Sequence, residues 1–354
     1  MSALTRRTLL AGASAGLALP ACAPLAGGPR AAAPTAAETA AFNAAAAHSE
    51  ANGGVSMLVM RDGAVLFERY APGATPDQQH LLASGTKSFN GVLAAAAVQD
   101  GLLTLDEPAA EALTEWRNDE RKRRITVRHL LTLTSGLQTR RTRGNVLPAA
   151  EAVQLPVVAE PGERFAYGGD SFQLFAEIIR RKVKGDPADY LQRRVLDPMG
   201  VARPGWGRVS DGLPQMAGGA RLSARDWARF GEGVRLNSGG DRRPLVDPAA
   251  LQACFQGTRA NPTYGLTWWL NRPYDAALAR TIPQLGWAMD LNGSAPFVPA
   301  DLAFAAGAGK QRLYVSPAER WVVVRQTDRV LQALQGEDAG GFSDREFWRL
   351  MRGA

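Results

Sequence analysis

Two hydrophobic periods take turns along this chain, and their order sketches a fold. Val55–Met60 and Ala64–Tyr70 are short apolar runs of strand length on either side of Asp62-Gly63, a dipeptide suited to the tight turn of a β-hairpin. An alanine-rich stretch over residues 36–50 predicts a helix before them. After them, Phe89, Val92, Leu93, Ala96 and Ala97 recur at helical spacing, which predicts a helix from about Ser84 to Asp100, stopped by Gly101. From Asp106 to about Asp211 the pattern is mostly helical and is broken by Pro and Gly. Within it, Phe172, Phe175, Ala176, Ile179 and Val183 form one stripe of a helix over Ser171–Val183. Ser223-Ala224-Arg225-Asp226 resembles a capping box with Asp in place of Glu, and Trp227, Phe230 and Val234 supply the apolar face behind it. Strand-like runs return at Val298–Ala305, Gln311–Val315 and Trp321–Arg325, and Ser343–Arg352 reads as a closing helix. Strands at both ends with helices between them predict an α/β unit interrupted by a helical insert.

Composition changes this picture little. The 354 residues are 45% hydrophobic and 21% charged, a globular balance with enough apolar surface for one large core. The net charge of +7 is scattered. Its densest run, Arg121-Lys122-Arg123-Arg124, has no interleaved aromatic residues and reads as a solvated helix face, so no nucleic-acid partner is expected. Thr5-Arg6-Arg7-Thr8-Leu9-Leu10 is a twin-arginine start to an export signal over residues 1–22. The signal ends in Leu19-Pro20-Ala21-Cys22. Two outcomes stay open: lipidation of Cys22 with membrane attachment, or cleavage after Ala21-Cys22-Ala23 that discards Cys22. Either way the expected location is exported, periplasmic or lipid-anchored. Residues 23–37 read as a linker and 38–354 as the folded domain, with the insert at about 106–211. Cys254 then has no intramolecular partner, so no disulfide is expected.

Few residues offer chemistry. The chain lacks Cys-x-x-Cys, histidine pairs at i, i+4 and a glycine-rich phosphate loop, so neither a metal nor a cofactor is expected. His48, His80 and His129 sit in contexts that read as structural. Gly12-Ala13-Ser14-Ala15-Gly16 matches a nucleophile elbow, but it lies inside the export signal with no strand before it. Ser84-Gly85-Thr86-Lys87 is different. It puts a hydroxyl and an amine one helical turn apart on the same face. A desolvated, neutral lysine there can take the serine proton. Given the 14 serines and five lysines, chance supplies about 0.2 such tetrads. Context must therefore decide its meaning.

Several separated stretches supply that context. Leu81–Pro108 resembles the nucleophile helix and following turn of serine β-lactamase-like hydrolases, the family of penicillin-binding proteins, class C β-lactamases, related esterases and 6-aminohexanoate oligomer hydrolases. Ile125–Leu137, with His129-Leu130-Leu131 and Thr134-Ser135-Gly136-Leu137, is similar to another of its segments. Pro161–Tyr167 resembles the approach to its tyrosine motif, and Asp197–Gly200 and Ala217–Ser223 match two further signatures. The resemblance implies an α/β fold whose antiparallel sheet is built from N- and C-terminal strands flanked by helices, with an inserted all-helical subdomain. It implies that Ser84 is the acylated nucleophile. Lys87 is its base, or lowers the pKa of Tyr167, and Tyr167 shuttles a proton to the leaving group. The Ser84 and Ala308 backbone N–H groups form the oxyanion hole. Gly169, Gly307 and Lys310 fall at substrate-binding positions, Lys310 either facing the cleft or lying on a solvated loop.

Two departures stand out. Tyr167-Gly168-Gly169 lacks the Asn that would bridge Lys87 and a substrate amide, and Ala305 stands where penicillin-recognising relatives carry a lysine. Asp170 reads as a helix cap. Gly307–Val315 looks closest to the esterase and aminohexanoate-hydrolase branch. The implied function is cleavage of a small ester or amide through an acyl-enzyme. The alternatives are a non-catalytic envelope protein binding cell-wall peptide, and a weak β-lactamase or DD-peptidase. Trp268, Trp269 and Trp287 are candidates for an apolar acyl pocket or for core packing. Oligomeric state is not legible.

Overall fold

The computed structural model describes residues 32–140, 146–238, 244–287, 290–336 and 341–354. Helix α1 (Ala36–Ala51) starts at a complete capping box, in which Thr35 and Glu38 satisfy each other's backbone N–H. It leads into β1 (Gly54–Arg61) and β2 (Ala64–Tyr70). Asp62 and Gly63 both take positive φ (54° and 75°), as a type I′ hairpin turn requires. The short β3 (His80–Leu81) precedes a 3-10 turn (Ala83–Lys87) that runs straight into α2 (Ser88–Gln99).

The C-terminal strands are β7 (Ala303–Gly307), β8 (Gln311–Ser316) and β9 (Trp321–Thr327), and β6 (Trp269–Leu270) is a short addition beside β7. The main sheet is antiparallel throughout, in the order β2-β1-β9-β8-β7-β6. Its centre thus pairs the first strand of the domain with the last. One expected strand shifts: residues 298–302 form turns, with Val298 N–H bonded to Ala295 and Leu302 N–H to Pro299, and pairing starts at Ala303. Pro299 has no N–H to give a ladder.

Both faces of the sheet are covered. One carries α1 and the C-terminal helix Asp344–Met351, which buries Phe347, Trp348 and Met351. The other carries the Ala224–Ser238 helix. A Cβ at Gly231 would lie 2.7 Å from Leu313 and 2.8 Å from Val322, so glycine permits this close approach. Helix α2 is buried from Ser88 to Ala97, apolar around nearly its whole circumference, as a helix enclosed on all sides must be. The Ser223 cap is half a box: its hydroxyl accepts the Asp226 N–H and donates to the Asp226 carboxylate.

The insert is helical in the main, with the Asp170–Val183 helix as its longest element. It is not purely helical. Short helices alternate with turns, and β4 (Gly205–Trp206) pairs with β5 (Ala220–Leu222), which also pairs with β3. This small sheet was not foreseen, and two- or three-residue strands carry no readable period. Residues 1–31, including Arg6, Arg7 and Cys22, lie outside the described residues. Among the described residues no helix is long and apolar enough to cross a membrane.

Candidate active site

Ser84 and Lys87 lie in the 3-10 turn ahead of α2, not in its first α-helical turn. A 3-10 helix has three residues per turn, so side chains at i and i+3 eclipse. The sequence spacing thereby becomes direct contact: Lys87 Nζ is 3.0 Å from Ser84 Oγ. The turn opens on Ala83 with φ of 47°, a left-handed conformation that costs an L-residue about 1–2 kcal/mol. The surroundings hold it there. Leu82 N–H bonds to the Ala220 carbonyl at 2.9 Å, Gly85 N–H to the Leu82 carbonyl at 3.0 Å, and the buried Trp227 indole packs against Gly85.

Lys87 is 5% exposed. Its ammonium group donates to the Ala217 carbonyl at 2.8 Å and lies over the rings of Tyr167 (5.0 Å) and Phe172 (5.6 Å). Among the described residues no carboxylate pairs with it. Burial alone pulls its pKa down to about 7, so a large fraction is neutral at physiological pH. Tyr167 comes from the loop before the Asp170–Val183 helix. The residue as a whole is half-buried, but desolvation of its hydroxyl pushes the phenol up to about 12, against the opposing influence of Ser84, Arg312 and Trp269. It is a protonated phenol near neutrality. Trp269 stacks on its ring at 5.7 Å, and Tyr264 and Phe165 complete an aromatic wall.

Hydroxyl, amine and phenol therefore meet, although Tyr167 is 80 residues from Lys87 in sequence. The other predicted positions are distributed differently. Gly307 ends β7 against the nucleophile turn: a Cβ there would lie 2.1 Å from the Leu82 carbonyl oxygen and 3.1 Å from Gly85 N. Ala308 follows, half-buried, in the turn between β7 and β8. Lys310 has positive φ, and its charged neighbours are Arg312, Asp344, Asp290 and Arg325. A Cβ at Gly169 would lie 2.3 Å from Val146 Cγ1 and 3.2 Å from Ala217 Cβ. The space a larger residue needs is already filled. Ala305 is buried beside its register partner Leu313. Asp170 does not cap its own helix. Its carboxylate accepts the Leu147 N–H at 2.9 Å and faces Arg140.

Trp268 is wholly buried against Phe230 and Phe255, so it is core and lines no pocket. The Trp287 side chain lies outside the described residues. The histidines sit in structural settings: His129 exchanges cap bonds with Thr126, His48 packs at a tilt against Phe342, and His80 is buried in β3. Among the described residues no group of three or more His, Cys, Asp and Glu gathers as a metal site.

The sequence reading missed the groups that hold the site together. The Ala217 carbonyl carries no side-chain signal at all. Asn90 Nδ2 bonds both the Lys87 and Met216 carbonyls, at 3.0 and 2.9 Å, and Thr86 Oγ1 accepts the Ala220 N–H at 3.1 Å. These bonds tie residues 216–220 to the nucleophile turn. A polar Asn between Phe89 and Val92 on a buried helix was the readable clue.

The family model described as Beta-lactamase matches residues 31–338. The chain belongs to the beta-lactamase family. It is 30% identical over 171 residues to the acyltransferase calJ of Penicillium decumbens, an alignment covering 39% of this chain and 41% of that protein. The chain thus spans about two-fifths of that curated relative's length. Its fold is similar to that of EstCE1, a hydrolase with promiscuous acyltransferase activity (TM-score 0.65, 15% identity, 90% of this chain and 99% of that one). It is also similar to a D-stereospecific amidohydrolase from Streptomyces (TM-score 0.63, 16% identity, 91% and 100%). The family match and these two structures agree on the fold.

Proposed function

We propose that this chain is a serine hydrolase that cleaves a small ester or amide through an acyl-enzyme on Ser84. The observation that carries it is a buried amine, 3.0 Å from the Ser84 hydroxyl, whose pKa burial lowers to about 7. Neutral Lys87 takes the Ser84 proton as the oxygen attacks the substrate carbonyl. The proton passes to the leaving group by way of the Tyr167 hydroxyl, which stays a phenol between transfers. This favours Lys87 as the base over a role in ionising Tyr167. The backbone N–H groups of Ser84 and Ala308 receive the oxyanion, each such donor worth about 3 kcal/mol in the transition state. Water then attacks the acyl group with the same two side chains running in reverse, and Ser84 is freed.

Val146 and Ala217 crowd Gly169, which leaves no polar side chain there to orient a substrate amide. Ala305 offers no cation for a carboxylate. Both favour esters over β-lactams. The similarity to an acyltransferase supports a second acceptor, an alcohol in place of water, on the same acyl-enzyme. We place the protein in the cell envelope on the strength of its twin-arginine start. The test is labelling by a fluorophosphonate and hydrolysis of short p-nitrophenyl esters. Wild type should do both, Ser84→Ala neither, and nitrocefin turnover should be slight. Equal activity in wild type and Ser84→Ala would remove the hydrolase reading and leave a binding protein.

A further inference from the structure

The geometry points to Gln311 as a positioning residue: its side-chain amide sets the nucleophile turn and the β7–β8 turn at the spacing that acylation of Ser84 needs. The inference rests on the acyl-enzyme reading above and adds a residue that touches none of the reacting atoms. Gln311 opens β8, opposite Gly307, and is completely buried. Its Nε2 donates to the Leu81 carbonyl at 2.8 Å and to the Thr327 carbonyl at 2.9 Å, while its Oε1 accepts the Thr327 N–H at 3.2 Å. Both amide hydrogens and the amide oxygen are engaged.

The two ends of this link are informative. Leu81 lies three residues before Ser84, on the strand that feeds the strained Ala83 turn. Gln311 lies three residues after Ala308. One amide therefore clamps the two segments that carry the proposed oxyanion donors, across 230 residues of sequence. Steric contact between Gly307 and the Leu82 carbonyl brings the segments together, but contact alone does not stop them sliding along each other. Three directional bonds do, two anchoring the amide on Thr327 of β9 and one reaching Leu81. Arg325 braces the same turn from beneath, donating to the Gly309 and Lys310 carbonyls at 3.2 and 2.8 Å. It makes no bond to the nucleophile segment in this arrangement, whereas Gln311 does.

Gln311→Met keeps the length and burial and removes all three bonds. Gln311→Glu keeps the shape and the acceptor toward Thr327 N–H, and restores one donor when its carboxyl is neutral. Both are compared with wild type and Ser84→Ala for folding by circular dichroism, for kcat and KM on p-nitrophenyl butyrate, and for the second-order rate of fluorophosphonate labelling. A small displacement of a preorganised group costs roughly tenfold to a hundredfold in rate. Gln311→Met should lose that much in kcat and in labelling rate while KM stays within about twofold, with Gln311→Glu between it and wild type. Unchanged kcat and labelling in folded Gln311→Met overturns the inference. So does a loss confined to KM or to the folded fraction, or failure of both variants to fold, since each leaves Gln311 a purely structural residue. Absence of Ser84 labelling in wild type is the separate result that removes the hydrolase reading, and this inference with it.

Discussion

Two buried cations in this protein have opposite characters. Among the described residues Lys87, at the junction of sheet and insert, finds a hydroxyl, one carbonyl and two ring faces but no carboxylate, and burial drags its pKa down. Arg312, on the sheet face under the C-terminal helix, is 1% exposed yet fully paired. Its guanidinium grips Asp344 through two bonds of 2.6 and 2.9 Å, and Tyr314 bonds the same carboxylate. Desolvation works against the Arg312 charge, but the facing carboxylate more than reverses it and the pKa rises. Arg325 marks the rule between them. Held by carbonyls and the Phe342 ring, it is pulled down to about 10, chiefly by burial. Carbonyls and rings do not replace a carboxylate. A carboxylate keeps the buried Arg312 charged; without one Arg325 is weakened yet still charged near neutrality, and only Lys87, whose pKa starts lower, is brought into the range for proton transfer.

The sharpest way to break this contrast is to remove the unpaired amine. Lys87→Met should lower ester hydrolysis by roughly a thousandfold, within the 10²–10⁴ range for a general base. The same variant should be at least as stable as wild type at pH 7 in urea unfolding, because a penalised group is gone. Next comes the paired cation. Asp344→Asn strands the Arg312 charge and should destabilise the fold by about 3–5 kcal/mol, while activity per folded molecule holds. Replacing both partners, Arg312→Met with Asp344→Leu, should recover most of that loss.

The third test uses pH. Acylation needs neutral Lys87, so the rate should fall about tenfold per unit below pH 7 and level off above it. Stability should respond to the same amine in the complementary window, above pH 7. The folded amine titrates near 7 and the unfolded one near its ordinary value, so between them only the unfolded chain binds the proton. Stability relative to Lys87→Met therefore rises with pH across that window, by up to about 1.4 kcal/mol per unit, and is flat below it. The smallest effect is steric. Gly169→Asn should cost about 1–3 kcal/mol by overpacking against Val146, and Val146→Ala in the same chain should restore part of it.

Legibility differed between these regions for a reason. Ser84, Lys87 and Tyr167 were readable because reactive side chains are few here and stand in recognisable local patterns. Asp62-Gly63 and the Ser223–Asp226 cap were readable because turns and caps are decided within four residues. The start of β7 was misplaced because an apolar run does not say where pairing begins, and Trp268 gave no sign of which side of the aromatic wall it would join. Arg312–Asp344 could not be found at all. It joins a strand to a terminal helix, and neither residue has a local partner.

What the sequence determined alone was the inventory: which hydroxyl, amine and phenol exist, and which segments prefer helix or strand. Those follow from short-range periodicity and side-chain chemistry. Only the tertiary structure decided that the amine would be stripped of counter-charge, that the Ala217 carbonyl would hold it, and that Val146 would fill the space beside Gly169. A pKa, a close approach and a buried bond all depend on neighbours supplied from far along the chain, and folding alone brings those neighbours together.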